Sequence, residues 1–249
     1  MVTCITIPPM GHSKEFYQYN QYKNQIILEY PYNQETLQAE DSLEYLANYF
    51  AKQIKTQIKD QDFCLIGVSL GATLSLRINE LLENKAQKLI LMASGGLKVA
   101  RARKEMIAHA ITHMPAKDFI DKALALDSSE SFLSHFDTSQ PQVLKRASDY
   151  YPINKSFWSS NSDLQKEAFV KMAIDALNVD YQKQLELYQD KIILLWSEND
   201  KIFSMRHFRK FQKIMPQAQC LLFEGLGHYL PLEAPQHLDK IVEDYVFNI

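Results

Sequence analysis

Short apolar runs recur along the chain at intervals that suit a β-strand followed by a helix. Six of them predict strands, over Val2 to Ile7, Gln25 to Tyr30, Phe63 to Val68, Lys88 to Ala93, Lys191 to Trp196 and Gln219 to Phe223. Most of these runs are almost continuously apolar, as strands covered on both faces of a parallel sheet are. The pattern therefore predicts a mostly parallel sheet buried between layers of helix.

Helical periodicity occupies the intervals between several of these strands. Residues 42–58, SLEYLANYFAKQIKTQI, repeat apolar side chains every three or four positions, and a second such pattern runs on from Ser69 through Leu74, Ile78 and Leu81. Strand and helix in alternation predict an α/β fold with a doubly wound sheet.

The interval between Ala93 and Lys191 is too long for a single crossover, and it shows patterns of several short helices without a strand. We expect residues 1–96 and 161–249 to form the α/β core, with 97–160 inserted as a helical cap. The cap is rich in aromatic and other apolar residues. These suit either an apolar substrate pocket or the cap's own core.

Composition and charge narrow the range of partners. The chain has 249 residues, 46% of them hydrophobic, and 27 basic against 30 acidic residues give a formal net charge of -3. No long block of one sign is present, which argues against nucleic-acid and anionic-membrane partners. No segment approaches the roughly 20 apolar residues of a membrane span, and the N-terminus lacks the basic start of a secretory signal. We expect a cytoplasmic protein with a small-molecule or protein partner.

The three cysteines, Cys4, Cys64 and Cys220, lie in or beside apolar runs. This setting and their odd number favour buried, reduced thiols over disulfides or metal ligands. No cluster of residues has the spacing of a zinc site. We expect neither a metal nor a cofactor.

The sequence GVSLGA places Ser69 between Gly67 and Gly71, at the bend from a predicted strand to a predicted helix. Such a bend presents the serine hydroxyl at the sheet edge, and the helix N-terminus offers backbone amides to an oxyanion. Serine needs a histidine base and an acid that orients it. Asp200 and His228 lie just after the fifth and sixth strands, so the order Ser69, Asp200, His228 predicts a catalytic triad.

With the motifs GVSLGA, WSENDKIF and EGLGHYLPLEAPQHL, the sequence resembles the α/β-hydrolase superfamily over nearly the whole chain outside the insertion. The resemblance implies acyl transfer to water without a cofactor. It also implies an oxyanion hole made by the backbone amides of Met10 and Leu70. His12, which lies near Met10 in the loop after the first predicted strand, and Trp196 are candidate contacts for the substrate, although a loop histidine without a catalytic role is the simpler explanation of His12.

The sequence departs from the family pattern near its N-terminus. Pro8-Pro9 stands where many relatives carry His-Gly before the oxyanion donor, so the loop is stiffened. The first predicted strand corresponds to the family's third strand, so the N-terminal hairpin would be missing. Gln25 to Tyr30 would then be an edge strand, which a homodimer could cover.

Ester hydrolysis through an acyl-enzyme on Ser69 is the expected activity, with a small acyl compound as substrate. Two alternatives stay open. The same triad would serve an acyl thioesterase or an acyl-carrier-protein ester hydrolase. The cap's nine basic against seven acidic residues, with Arg101, Arg103 and Lys104 close together, suit an acidic carrier protein, although a solvated helix face explains them more simply. A receptor-like binding protein with slow or no turnover is the alternative of another class.

Overall fold

One sheet of six parallel strands organises the structure, a computed structural model that describes residues 2–31, 42–59 and 61–247. Its strand order is β2-β1-β3-β4-β5-β6. The strands are β1 (Thr3–Ile7), β2 (Gln25–Ile27), β3 (Phe63–Val68), β4 (Leu89–Met92), β5 (Ile192–Ser197) and β6 (Gln219–Phe223). The predicted mostly parallel sheet is confirmed, and β2 lies at an edge, as expected. β2 is shorter than predicted, because only Gln25–Ile27 pair with β1.

Eleven α-helices accompany the sheet within the described residues. They are α1 (Ser42–Ile58), α2 (Leu70–Leu81), α3 (Arg101–Thr112), α4 (Ala116–Ala123), α5 (Ser129–Leu133), α6 (Pro141–Ser160), α7 (Asp163–Ala176), α8 (Gln182–Leu187), α9 (Met205–Ile214), α10 (Leu230–Glu233) and α11 (Pro235–Val242). A 3₁₀ turn (Lys14–Tyr17) follows β1, and a π-helical turn (Glu243–Phe247) follows α11. The helix predicted over residues 42–58 is α1.

The two faces of the sheet carry separate apolar cores. Successive strand residues alternate between them, so that Leu65 joins one core and Cys64 and Ile66 join the other. The first core packs α1, α2 and α9 against the sheet. The second contains α11 and several side chains of the α5–α6 region. Helices on both faces make the sheet doubly wound, as predicted.

Six helices, α3 to α8, fill residues 94–190 between β4 and β5, and no strand occurs among these residues, all of which are described. α4 packs against α7, which in turn contacts α3 and the core helix α1, whereas α8 contacts α2 and α9. The division predicted at residue 160 falls between α6 and α7. Because α7 contacts α3 and α4 of the predicted cap as well as α1 of the core, the exact extent of the cap stays a prediction.

All three cysteines are free thiols in the structure. Cys4 and Cys64 are fully buried on neighbouring strands with their Sγ atoms 3.5 Å apart, and Cys220 is half-buried. The contact to Cys4, together with burial, raises the pKa of Cys64, and burial raises the pKa of Cys220. These thiols therefore behave as small apolar side chains of the core.

Candidate active site

The strand order reverses its direction between β1 and β3, which are neighbours in the sheet although β2 lies between them in the chain. In open α/β sheets, such a reversal leaves a crevice outside the carboxyl ends of the strands, where ligands bind. The loop after β1 begins at Pro8, and Ser69 directly follows β3. The predicted nucleophile and the predicted oxyanion loop therefore flank this crevice.

Ser69 has a backbone conformation that is rare for any residue other than glycine, with φ 54° and ψ -114°. A residue held in such a conformation is strained by about 1–3 kcal/mol. The bend is fixed by a hydrogen bond of 2.9 Å from the Ser69 amide to the Met92 carbonyl. Although Ser69 precedes the first residue of α2, its hydroxyl does not cap that helix, and it makes no hydrogen bond within the described part of the chain. The hydroxyl is therefore available for other chemistry.

Gly71 allows the bend to pass close to the exit of β1. A Cβ atom at this position would lie 2.6 Å from the Pro8 carbonyl oxygen and still closer to that of Ile7. Both neighbours are backbone atoms, which cannot move aside without shifting β1 or α2. The second glycine of GVSLGA thus brings the predicted oxyanion loop against the start of α2.

Asp200 and His228 form a buried pair. His228 Nδ1 lies 2.8 Å from Asp200 Oδ2, and both side chains are almost completely buried. The other carboxylate oxygen, Oδ1, accepts hydrogen bonds of 2.8 Å from the amides of Ile202 and Phe203, which fixes the orientation of the carboxylate. Because a carboxylate accepts hydrogen bonds, Nδ1 carries the proton and Nε2 is free to accept one.

The loops after β5 and β6 are joined by their backbones, which explains how residues far apart in the chain meet. The Glu198 amide donates to the Phe223 carbonyl, and the Asn199 amide donates to the Leu226 carbonyl at 3.0 Å. Both loops lie at the carboxyl edge of the sheet, the edge at which Ser69 also lies. The structure therefore brings the three predicted triad positions to one end of the molecule.

The loop after β1 is held by its carbonyl groups. Tyr30 donates its hydroxyl hydrogen to the Pro8 carbonyl at 3.0 Å, and the indole N–H of Trp158 donates to the Gly11 carbonyl at 2.8 Å. Within the described residues, the amides of Met10 and Leu70 donate no hydrogen bond to the protein. Free amides on the two sides of the crevice are what an oxyanion hole requires.

Comparison with known proteins identifies the architecture. A family model described as "alpha/beta hydrolase fold" matches residues 11–235, which is most of the chain. The chain belongs to the α/β-hydrolase family.

Solved structures share this α/β-hydrolase fold at low sequence identity. MenH from S. aureus superposes with a TM-score of 0.72 at 16% identity, covering 100% of this chain and 94% of MenH. A thermophilic esterase from Thermogutta terrifontis gives a TM-score of 0.71 at 11% identity, covering 100% of this chain and 90% of the esterase. At such identities these likenesses show the fold alone.

A curated protein, Lipase 1 from Psychrobacter immobilis, is 23% identical to this α/β hydrolase over 183 residues. The match covers 72% of this chain and 53% of the lipase. The matched region thus spans about half the length of that relative.

His12 lies beside the histidine of the predicted triad but is enclosed by the protein. Only 2% of its surface is exposed, and its Nδ1 lies 3.1 Å from the Tyr150 hydroxyl of α6. Burial, with smaller contributions from the nearby His228 and His135, lowers its pKa to about 3. His12 is therefore neutral at ordinary pH, and its contact with a substrate stays a prediction.

Trp196 lies in the core of the protein rather than in a pocket. Its side chain is fully buried and packs against Phe208 and Phe211 of α9, and its indole N–H donates to the Phe203 carbonyl at 3.1 Å. β5 directs this residue into the first core, with no exposed surface for a ligand. The expectation that Trp196 lines the substrate pocket therefore has no support in the structure.

Two residues beside the predicted triad were not singled out from the sequence. Glu233 accepts hydrogen bonds from amides on either side of His228, and His135 approaches from the α5–α6 loop. Burial lowers the pKa of His135, and the positive charge of Lys201 acts in the same direction. For Glu233 the sequence does hold an indication, because an acidic residue inside the apolar stretch LPLEAP suggests a buried carboxylate.

Neither a metal centre nor a membrane span emerges from the described part of the chain. There, no group of three or more histidine, cysteine or acidic side chains is arranged to hold a metal ion. No helix there combines the length and apolar character needed to cross a membrane.

Proposed function

We propose that this α/β hydrolase is a serine hydrolase that cleaves a carboxylic ester, with Ser69 as nucleophile, His228 as general base and Asp200 as the acid that orients the histidine. The observation that carries the proposal is the buried 2.8 Å contact between His228 Nδ1 and Asp200 Oδ2, at the sheet edge where Ser69 stands on its strained bend. The names of the matched lipase and esterase add support for an ester as the substrate class.

Acylation of the enzyme is the first half of the proposed reaction. His228 Nε2 accepts the proton of the Ser69 hydroxyl while the serine oxygen bonds to the ester carbonyl carbon. The carbonyl oxygen becomes an oxyanion, to which the amides of Met10 and Leu70 donate. When the tetrahedral intermediate collapses, the bond to the alkoxy group breaks and His228 returns the proton to the departing alcohol.

Deacylation uses the same groups in the opposite sense. His228 accepts a proton from water, whose oxygen attacks the acyl carbon of the ester on Ser69. Collapse of the second intermediate releases the carboxylic acid and returns the proton to the serine oxygen. Asp200 stabilises the imidazolium that forms in both halves without taking up the proton itself.

The same site would also serve other acyl substrates. A thioester or an acyl-carrier ester would be cleaved by the same steps. Arg101 and Arg103 of α3 are exposed, and the binding of an acidic carrier protein to them stays a prediction. A receptor-like protein would bind an acyl ligand and turn it over slowly. The homodimer and the cytoplasmic location also stay predictions.

Intact-mass measurement after exposure to a fluorophosphonate tests the nucleophile, with Ser69→Ala as the matched variant. We expect a single stoichiometric adduct on the wild type and none on Ser69→Ala, because only a serine activated by a base reacts readily. Esters and thioesters of increasing chain length then give kcat/KM for each class. Absence of an adduct on the folded wild type would contradict the proposal and favour the binding-protein alternative.

A further inference from the structure

The carboxylate of Glu233 is buried a few residues beyond His228, at the end of α10, where only 3% of the residue's surface is exposed. Removing a charged group from water is costly unless hydrogen bonds or an opposite charge compensate for the lost hydration. Because no ion pair to this side chain occurs among the described residues, its hydrogen bonds are what hold it.

Three backbone amides satisfy this carboxylate. Oε2 accepts from the Gly227 amide at 2.8 Å, and Oε1 accepts from the Tyr229 amide at 3.1 Å. These two amides stand immediately before and after His228. A longer contact of 3.4 Å joins Oε2 to the amide of Asp137, in the connection between α5 and α6.

The surroundings of Gly227 show how closely the loop and the inserted helices meet. A Cβ atom at Gly227 would collide with the His135 carbonyl and would lie 3.1 Å from Glu233 Oε1. A second link comes from Arg146 of α6, whose guanidinium donates to the backbone carbonyls of Leu232 and Glu233, both at 2.6 Å. The loop between β6 and α10, residues 224–229, carries His228 and is called the histidine loop below. It is therefore held in place both by Glu233 of α10 and by contacts with the α5–α6 region.

Electrostatics gives the carboxylate a second influence on His228. Burial raises the pKa of Glu233, while the three amides and the nearby His228 favour its charged form. Other titratable or charged groups face this pair as well: Asp200, His12 and His135 face His228, and Arg146 and Tyr229 face Glu233. A negative charge at Glu233 stabilises a protonated imidazole in this setting.

We propose that Glu233 is a positioning residue, which holds the backbone on both sides of His228 and supports the imidazolium formed during the reaction. The inference rests on the proposed role of His228 as general base. Glutamate suits the position because both of its oxygens accept hydrogen bonds. A glutamine would turn an NH₂ group towards one of the two amides, so that one hydrogen bond would be replaced by a donor–donor contact.

The rate of fluorophosphonate labelling of Ser69, measured as a function of pH, tests this role without a known substrate. For Glu233→Gln we expect labelling to slow by about tenfold, because the imidazolium formed in the transition state loses a nearby negative charge and the loop around His228 loses one backbone hydrogen bond. The acidic limb of its pH profile should move to lower pH, because a charge that favours the protonated base is gone. Glu224→Gln, an exposed change in the same loop, should behave like the wild type.

The outcomes separate this inference from the proposed function. A wild type that is not labelled overturns the proposed function. A labelled wild type with an unchanged Glu233→Gln overturns only the role of Glu233. A slower variant whose acidic limb does not move would make Glu233 purely structural and would also overturn the proposal.

If Glu233→Gln fails to fold, fluorophosphonate labelling of Glu233→Asp tests the role of Glu233 instead. Its carboxylate keeps the charge but is one methylene shorter and cannot span both amides. Labelling about tenfold slower, with the acidic limb in place, is then the expected result. Labelling of this variant at the wild-type rate would overturn the proposal.

Discussion

At the scale of one residue, the hydrogen bonds of Asp200 determine which ring nitrogen of His228 carries the proton. Its Oδ1 is fixed by two backbone amides, so Oδ2 is left to face His228 Nδ1. In Asp200→Asn, Oδ1 can keep both amides, but the NH₂ group then donates to Nδ1 and moves the imidazole proton to Nε2. The base would be in the wrong tautomer although its position is unchanged.

We therefore expect Asp200→Asn to lower kcat by about 10⁴-fold with little change in stability, as for an orienting carboxylate of a serine protease. The measurement is turnover of a chromogenic ester, with unfolding in urea as the check on the fold. Asp190→Asn, at an exposed position, is the matched control. A variant that keeps more than a tenth of the activity would show that Asp200 is not the orienting acid.

The buried His12 should make the stability of the folded protein depend on pH. Its pKa in the folded state is about 3, against an ordinary value of 6.5. Between these values the unfolded chain binds a proton that the folded protein does not, so the free energy of unfolding falls as the pH drops below about 6.5. Above that pH both states are neutral at His12, and the effect vanishes.

In His12→Asn this loss should disappear, while an amide group remains near the Tyr150 hydroxyl. Urea unfolding at pH 7 and pH 5 should show that the wild type loses more stability than the variant, by up to about 1.4 kcal/mol per pH unit below 6.5. The exposed His237→Asn should keep the wild-type dependence. Equal pH dependence in His12→Asn and wild type would contradict the burial of a neutral His12.

What the sequence reveals of the site depends on how local the information is. The placement of Ser69, Asp200 and His228 at one edge of the sheet could be predicted because each follows an apolar strand, and the carboxyl ends of parallel strands share one edge. The burial of Trp196 and the contacts of Glu233 could not, because they depend on which face of the sheet or which loop meets a residue. Those contacts depend on tertiary packing, which the local sequence pattern does not determine.

At the scale of elements, Gly71 determines how closely α2 approaches β1. In Gly71→Ala, the new Cβ would meet the carbonyl oxygens of Ile7 and Pro8, and one of the two backbones would have to move. We expect a loss of about 1–3 kcal/mol of stability, typical of overpacking, and loss of labelling at Ser69 because the oxyanion loop shifts.

Gly95→Ala is the control, since its Cβ would meet the Thr73 side chain at 3.0 Å and no backbone atom closer than that. It should change the free energy of unfolding by no more than about 1 kcal/mol. The measurement is urea unfolding of both variants beside the wild type. A Gly71→Ala protein as stable and as reactive as Gly95→Ala would show that the close approach is not required.

Elements were predictable to the extent that their hydrophobic pattern is complete. α1, over residues 42–58, and β3, Phe63–Val68, have the predicted bounds because continuous apolar patterns define them. β2 ends three residues early because an edge strand extends only as far as its one partner, β1, pairs with it. For residues 97–160 the pattern predicted helices, but it could not predict that α7, which was assigned to the core, would also contact α3 and α4.

At the scale of the molecule, polar contacts join α6 to the two loops that carry the predicted oxyanion and triad residues. The Trp158 indole reaches the Gly11 carbonyl of the predicted oxyanion loop, His12 meets Tyr150, and Arg146 holds carbonyls at the end of the histidine loop. Trp158 also packs edge-on against Phe169 of α7 within the first core. A cap bound through a shared core and several buried hydrogen bonds should not unfold independently of the sheet.

The two tryptophans allow this cooperativity to be measured, because Trp158 belongs to α6 and Trp196 to β5. Trp158→Phe leaves a single tryptophan, which lies in the sheet, and Trp196→Phe leaves a single tryptophan, which lies in the predicted cap. Within each variant, we expect the fluorescence midpoint in urea to coincide with the midpoint of far-ultraviolet circular dichroism, whatever the variant's own stability. If the fluorescence of Trp158 changed at a lower urea concentration than the circular dichroism, the cap would open before the core unfolds. The hydrogen bond to Gly11 would then be too weak to hold cap and oxyanion loop together, and residues 97–160 would act as a separable lid.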